Sequence, residues 1–210
     1  MQKPLVIIGV FLLGIVCFFA VFKKQTVSSY TENHFIINRP YREVMLGLAT
    51  QNSLEQVASS NGGQIINKNW TNLKLNLLGF RDRQITQPVW IADCNAWFAL
   101  HLDDPNLGSL DLEFVQQIYA NPNGIVINTT LLKPSKGLYE HSTFISLEKL
   151  GENQTKCVVK SRMTVVRRHP NQWNEYVQQI VSESNAKNSR NTAQCIQEIS
   201  ERRGISIPFK

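Results

Sequence analysis

Lys156-Cys157-Val158-Val159-Lys160-Ser161-Arg162-Met163-Thr164-Val165-Val166-Arg167-Arg168, followed by His169-Pro170 and the run to Ser184, decides the fold. Odd positions from Cys157 to Val165 carry Cys, Val, Ser, Met and Val, while Lys156, Lys160, Arg162, Thr164 and Arg168 fall on even ones. Side chains alternate faces along a strand, so this stretch reads as a long strand with one face in a core. The period then changes. Trp173, Tyr176, Val177, Ile180 and Val181 recur at the spacing of one helical stripe. Pro170 suits a first turn, and Asn171 is the candidate cap. A strand that feeds a long C-terminal helix needs a sheet for that helix to cover.

Working back toward the N-terminus, that sheet is visible. Thr31 to Asn38 reads as a strand, and Lys23 to Tyr30 as a short polar tether. Asn38-Arg39-Pro40 opens a helix with Val44, Met45 and Leu48 as its buried stripe. Ser53-Leu54-Glu55-Gln56 has the pattern of a capping box for a second helix, with Leu54, Val57 and Ala58 apolar, ended by Asn61-Gly62-Gly63. Strands follow: Gln64 to Trp70, Leu73 to Leu77, Ala96 to Leu102, Leu110 to Ile118, Ile125 to Leu132 and Tyr139 to Leu147, with Arg81-Asp82-Arg83 as a turn. Strands segregated from helices make the chain α+β.

The 210 residues suffice for one domain with a sizeable core. Residues 4–22 carry no charge and, as a helix, span roughly 28 Å, close to the hydrocarbon thickness of a bilayer. They read as an uncleaved anchor, because Phe18 before Ala20 makes a poor cleavage site; a cleaved export signal is the alternative. The expected division is residues 1–24 as anchor and 25–210 as domain. The expected location is a single-pass membrane protein facing away from the cytoplasm, in the periplasm of a Gram-negative cell. The formal charge of +6 is dispersed, without a basic helix, which argues against nucleic-acid binding. Outside the anchor stand Cys94, Cys157 and Cys195, an odd number at no metal-ligand spacing.

The order of elements, together with His34-Phe35-Ile36-Ile37-Asn38-Arg39-Pro40-Tyr41-Arg42-Glu43-Val44, resembles the START-like superfamily, also called SRPBCC. Those residues look like the family's opening strand, Asn-x-Pro and first helix. Gly124, on a turn into a strand, and the C-terminal helix also fit. A membrane anchor just upstream resembles a bacterial subgroup. The subgroup's Trp-rich segment after the second helix is missing here, and residues 185–210 read as a possible separate helical tail. The resemblance implies a helix-grip fold: a curved antiparallel sheet around a long C-terminal helix, here preceded by one transmembrane helix, with a ligand cavity between sheet and helix.

On that reading Phe98, Leu112, Phe114, His141, Ile145, Met163, Trp173, Val177 and Ile180 line the cavity. His141 is the weak catalytic candidate, since a half-buried imidazole on an apolar strand face serves as acid, base or ligand donor. His101 and Asp103 share a strand face, but such spacing is common by chance. No hydrolase, dinucleotide, phosphate-loop or zinc-protease motif is present, so neither cofactor nor metal is expected. The expected function is membrane-anchored binding of an apolar or amphipathic small molecule, with lipid as one class. Its partners are then the bilayer, through residues 4–22, and that molecule. The alternatives are a cyclase- or hydrolase-type enzyme using a polar group in the same cavity, and an interaction module whose cavity its own side chains fill.

Overall fold

The computed structural model describes residues 22–49, 52–80, 88–104 and 108–201. In chain order the elements are β1 (Phe22–Ile37), α1 (Tyr41–Leu48), α2 (Ser53–Ser60), β2 (Gly63–Phe80), β3 (Pro88–Asp104), β4 (Gly108–Asn121), β5 (Gly124–Leu131), β6 (Leu138–Lys149) and β7 (Thr155–Pro170). A 3₁₀ turn, Asn171–Trp173, leads into α3 (Asn174–Glu201). The strands form one sheet in the order β1-β7-β6-β5-β4-β3-β2. Every pair is antiparallel.

Alternation locates β7 correctly: Cys157, Val159, Ser161, Met163 and Val165 are all buried. Its other face is less wet than expected. β7 lies between β1 and β6, and Val158 and Thr164 are also buried there. Thr164 sits against Ser28 at 3.0 Å on one side and donates to Glu140 at 3.2 Å on the other. The expected tether from Lys23 to Tyr30 is instead the first half of β1, paired along its whole length with β7. The proposed boundary between residues 24 and 25 therefore falls inside a strand. Gln64–Trp70 and Leu73–Leu77 are parts of one strand, β2, whose pairing shifts register between Ile65/Asn67, Thr71/Lys74 and Leu77/Gly79. Such irregularities bend a strand and suit a sheet that curves around a helix.

The helix ends depart from the expected caps. Pro40, not Asn38, precedes α1, and the Asn38 side chain instead accepts from Gln154 Nε2 at 3.1 Å. Ser53 opens α2 without capping it; its hydroxyl donates to the Leu48 carbonyl at 2.6 Å. Asn171 accepts from Gln25 Nε2 at 2.6 Å, tying the start of the C-terminal segment to β1. At the β4–β5 turn the Asn121 side chain accepts from the N–H groups of Asn123 and Gly124. A Cβ on Gly124 would lie 2.9 Å from the Leu147 carbonyl oxygen, so this turn needs glycine for close approach.

The C-terminal helix carries the largest correction. It runs unbroken from Asn174 to Glu201, so the separate tail expected from Asn185 is the second half of the same helix. The expected stripe does not all face inward: Trp173 is 51% and Tyr176 64% exposed. The buried face is Val181, Asn185, Ser189, Thr192, Cys195, Ile196 and Ile199 with Ser200. That face rests on β1, β7 and both short helices. Two apolar clusters result. One gathers Ile37, Tyr41, Val44, Leu147, Cys157, Val159 and Ile196, and the other Val27, Phe98, Leu110, Leu112, Phe114, Met163 and Val181.

The expected transmembrane helix at residues 4–22 lies outside the described residues except for Phe22, which begins β1. Among the described residues no helix is long and apolar enough to cross a membrane.

Candidate functional site

Between the inner face of the sheet, α2 and the second half of α3 is a cavity of about 180 Å³. A single water needs only roughly 10–15 Å³, so the side chains leave room for something larger. Period-2 alternation builds the sheet wall. Phe98 on β3, Leu112 and Phe114 on β4, His141 and Ile145 on β6 and Met163 on β7 all border the space. The rings of Phe98 and Phe114 stack with centroids 5.3 Å apart and planes at 20°.

Trp173, Val177 and Ile180 are not in the wall. Trp173 belongs to the 3₁₀ turn and is exposed, Val177 packs partly against the apolar cluster beside the cavity, and Ile180 is half-buried. The helix contributes Asn188, Ser189, Thr192 and Ile196 instead. Asn188, Ser189 and Thr192 carry no apolar periodicity, because they are small and polar. Gln116 was missed as well, although its phase with Leu112, Phe114 and Ile118 places it inward. Leu54, Val57 and Ala58 of α2, read from the sequence as core, close the other side.

A polar seam holds α3 to the sheet. Asn185, fully buried, accepts from the Ser161 hydroxyl at 2.7 Å and donates to the carbonyls of Ser29 and Ser161, each at 3.2 Å. Asn33 Nδ2 donates to the Ser189 hydroxyl at 2.6 Å. Near the cavity's α2 side, Asn61 Nδ2 donates to the Val57 carbonyl and to the Thr192 hydroxyl, both at 3.0 Å. Gln116 Nε2 donates to Thr129 Oγ1 at 3.1 Å. Buried polar groups are nearly always satisfied in this way.

Two atoms beside the cavity are exceptions. Asn61 Oδ1 and His141 Nε2 are buried with no hydrogen-bond partner. The His141 ring borders the cavity and meets Phe114 edge-on, centroids 5.9 Å apart at 79°. Burial among apolar neighbours pushes its pKa down to about 4. At neutral pH the imidazole is therefore uncharged, a weak base with no proton to donate as an imidazolium.

Elsewhere, His101 is on the outer face of β3. Its Nδ1 lies 2.6 Å from Asp111 Oδ1, and its Nε2 3.6 Å from Asp103 Oδ1. The hydrogen bond to Asp111 raises its pKa above the ordinary histidine value. Among the described residues no cluster of three or more side chains is arranged to hold a metal ion. Cys94, Cys157 and Cys195 are buried and form no disulfide among the described residues. Desolvation pushes the Cys157 thiol up to about 12, so it behaves as a core residue.

No protein-family model matches the sequence, and no curated protein matches it either. Solved structures do. The chain is similar to the Zhui aromatase/cyclase from Streptomyces sp. R1128, at 14% identity and a TM-score of 0.50, over 84% of this chain and 95% of that one. It also matches a START superfamily protein from Mycobacterium smegmatis, at 13% identity and a TM-score of 0.43, over 82% of this chain and 97% of that one. A norcoclaurine synthase from Thalictrum flavum matches at 7% identity and a TM-score of 0.43, over 83% of this chain and 87% of that one. At such identities the likeness is one of fold. The class that fold and cavity define is an α+β helix-grip domain, with a seven-stranded antiparallel sheet and a long C-terminal helix.

Proposed function

We propose that this protein is a membrane-anchored binding domain for a neutral, apolar or amphipathic small molecule, lipid being the class in view. The observation that carries the reading is the apolar cavity that the gripping helix and the sheet leave open. Pockets for such ligands are mostly apolar with a few placed polar groups. Here the wall is aliphatic and aromatic, with hydroxyl and amide groups along α3 and β4–β6. Its only formally charged residue is Asp104, and the wall contains no lysine or arginine among the described residues. An anionic headgroup would find no countercharge there, so the ligand is an alcohol, ketone or hydrocarbon in preference to a carboxylate or phosphate.

Membership of the membrane-anchored subgroup, with residues 4–22 as the span and the domain facing away from the cytoplasm, belongs to the same proposal. It is supported by the length of the uncharged run. Catalysis is the lesser reading. Its support is His141 on the cavity wall, but an imidazole with its pKa near 4 and a closed-off Nε2 is poorly placed for proton transfer at neutral pH.

The test is to purify the full chain in detergent and analyse extracted small molecules by mass spectrometry. Displacement of a hydrophobic dye by a neutral alcohol and by a fatty acid of equal length is then compared. Preferential displacement by the alcohol is expected. A protein that is empty and takes up no dye would sink the binding reading.

A further inference from the structure

The two ends of the sheet differ, and one of them adjoins the start of β1. There the β1 residues Phe22, Lys23 and Lys24 pair with Pro170, His169 and Arg168 of β7. The 3₁₀ turn and the first turn of α3 follow Pro170 directly and carry Trp173 and Tyr176. The Gln25–Asn171 hydrogen bond binds this turn to β1. Lys23, Lys24 and Arg168 are exposed, as are both rings. The chain that enters this corner is preceded at once by the uncharged run 4–22. As a helix, a run of that length matches the hydrocarbon thickness of a bilayer. Trp and Tyr concentrate at bilayer–water interfaces, and basic residues within a Debye length of anionic headgroups are attracted to them.

We infer that this corner of the domain, Lys23, Lys24 and Arg168 together with the rings of Trp173 and Tyr176, rests on the headgroup layer of an anionic bilayer. The inference rests on the anchor reading above. It explains why two large aromatic side chains at the foot of the C-terminal helix are left outside the core. Glu175 lies between the rings in sequence and offsets one of the three cations. No linker separates run from strand, so the domain has little freedom to stand off.

The experiment uses the full chain in nanodiscs of phosphatidylcholine alone or mixed with phosphatidylglycerol, with lipids brominated near the headgroup end of the acyl chain. Tryptophan quenching is read for the wild type, Trp173→Phe and the pair Lys23→Glu with Lys24→Glu. Quenching is expected in the mixed discs, weaker in phosphatidylcholine alone, and mostly lost in both variants. Each cation removed should lower the docking equilibrium about fivefold at low salt. A chain held in the discs whose quenching survives Trp173→Phe overturns the docking face and leaves the anchor standing. A chain that the discs do not hold overturns both. A Trp173-dependent dimer on the discs would assign the corner to a second copy and likewise overturn the proposal. Dye uptake, measured on the same samples, reports the cavity independently of all three outcomes.

Discussion

His141 shows how one buried side chain couples the cavity to pH. Its folded pKa, near 4, is below the ordinary 6.5. Below about pH 6.5 the unfolded chain takes up a proton that the folded chain refuses, so this group's contribution to stability falls as pH drops and levels off near pH 4. The urea midpoint of the full chain should therefore fall from pH 7 to pH 5. In His141→Leu the fall should be smaller, whatever the variant's stability at pH 7. An identical pH slope in the two proteins would place the imidazole in water. His101 behaves oppositely. Its hydrogen bond to Asp111 raises its pKa, so its contribution is full at low pH and is lost as pH rises through that raised value. An NMR titration should find His101 above the ordinary histidine value, and Asp111→Asn should bring it down. His101 is on the outer face of the sheet with its partner Asp111 exposed, so this is a matter of titration and not of measurable stability.

At the level of the helix, burial separates residues that look alike in sequence. Ile196 is 1% exposed and inside the apolar cluster, whereas Tyr176 is on the surface. Ile196→Ala should cost ~2–5 kcal/mol and Tyr176→Ala less than about 0.5 kcal/mol in a denaturation series. Asn185→Ala should be costly for a different reason. It strips the buried Ser161 hydroxyl of its acceptor, at ~1–3 kcal/mol for an orphaned group, and removes further hydrogen bonds to the carbonyls of Ser29 and Ser161. Equal effects at positions 176 and 196 would mean that α3 is not docked as described. The second half of the helix thus grips the sheet through specific hydrogen bonds as much as through apolar area.

For the whole molecule, the consequence of the cavity is that adding volume should be cheap. In a close-packed core an added ring typically costs ~1–3 kcal/mol. Thr143 lies on the cavity wall. Thr143→Phe should turn its ring into open space, leave the thermal midpoint nearly unchanged and abolish dye uptake. A large loss of stability with uptake retained would show the space to be elsewhere. Because β1 closes on β7 and α3 crosses both, the cavity depends on contacts between the two ends of the domain. Asn33 and Ser189, hydrogen-bonded to each other, are 156 residues apart.

That distance also marks what could be read beforehand. Alternation along β3, β4 and β7 placed Phe98, Leu112, Phe114 and Met163 on the inner face, because a strand's two-residue period is a local property of the chain. The same locality made the order of strands and helices, and with it the α+β helix-grip class, legible without coordinates. Three features were not local. The first half of β1 has Gln25 and Ser29 beside Val27 on its inner face, so only its partners on β7 and α3 reveal it as a strand. The stripe was misread at Trp173, in the 3₁₀ turn, and at Tyr176 of α3, since apolar periodicity marks a stripe but not what covers it. The gripping face of α3 is part polar, where the strands beneath supply serine and asparagine partners. His141 could be assigned to the inner face from sequence. That its Nε2 is left unpartnered there depends on which side chains from five other strands and three helices surround the cavity, and only the tertiary structure decides that.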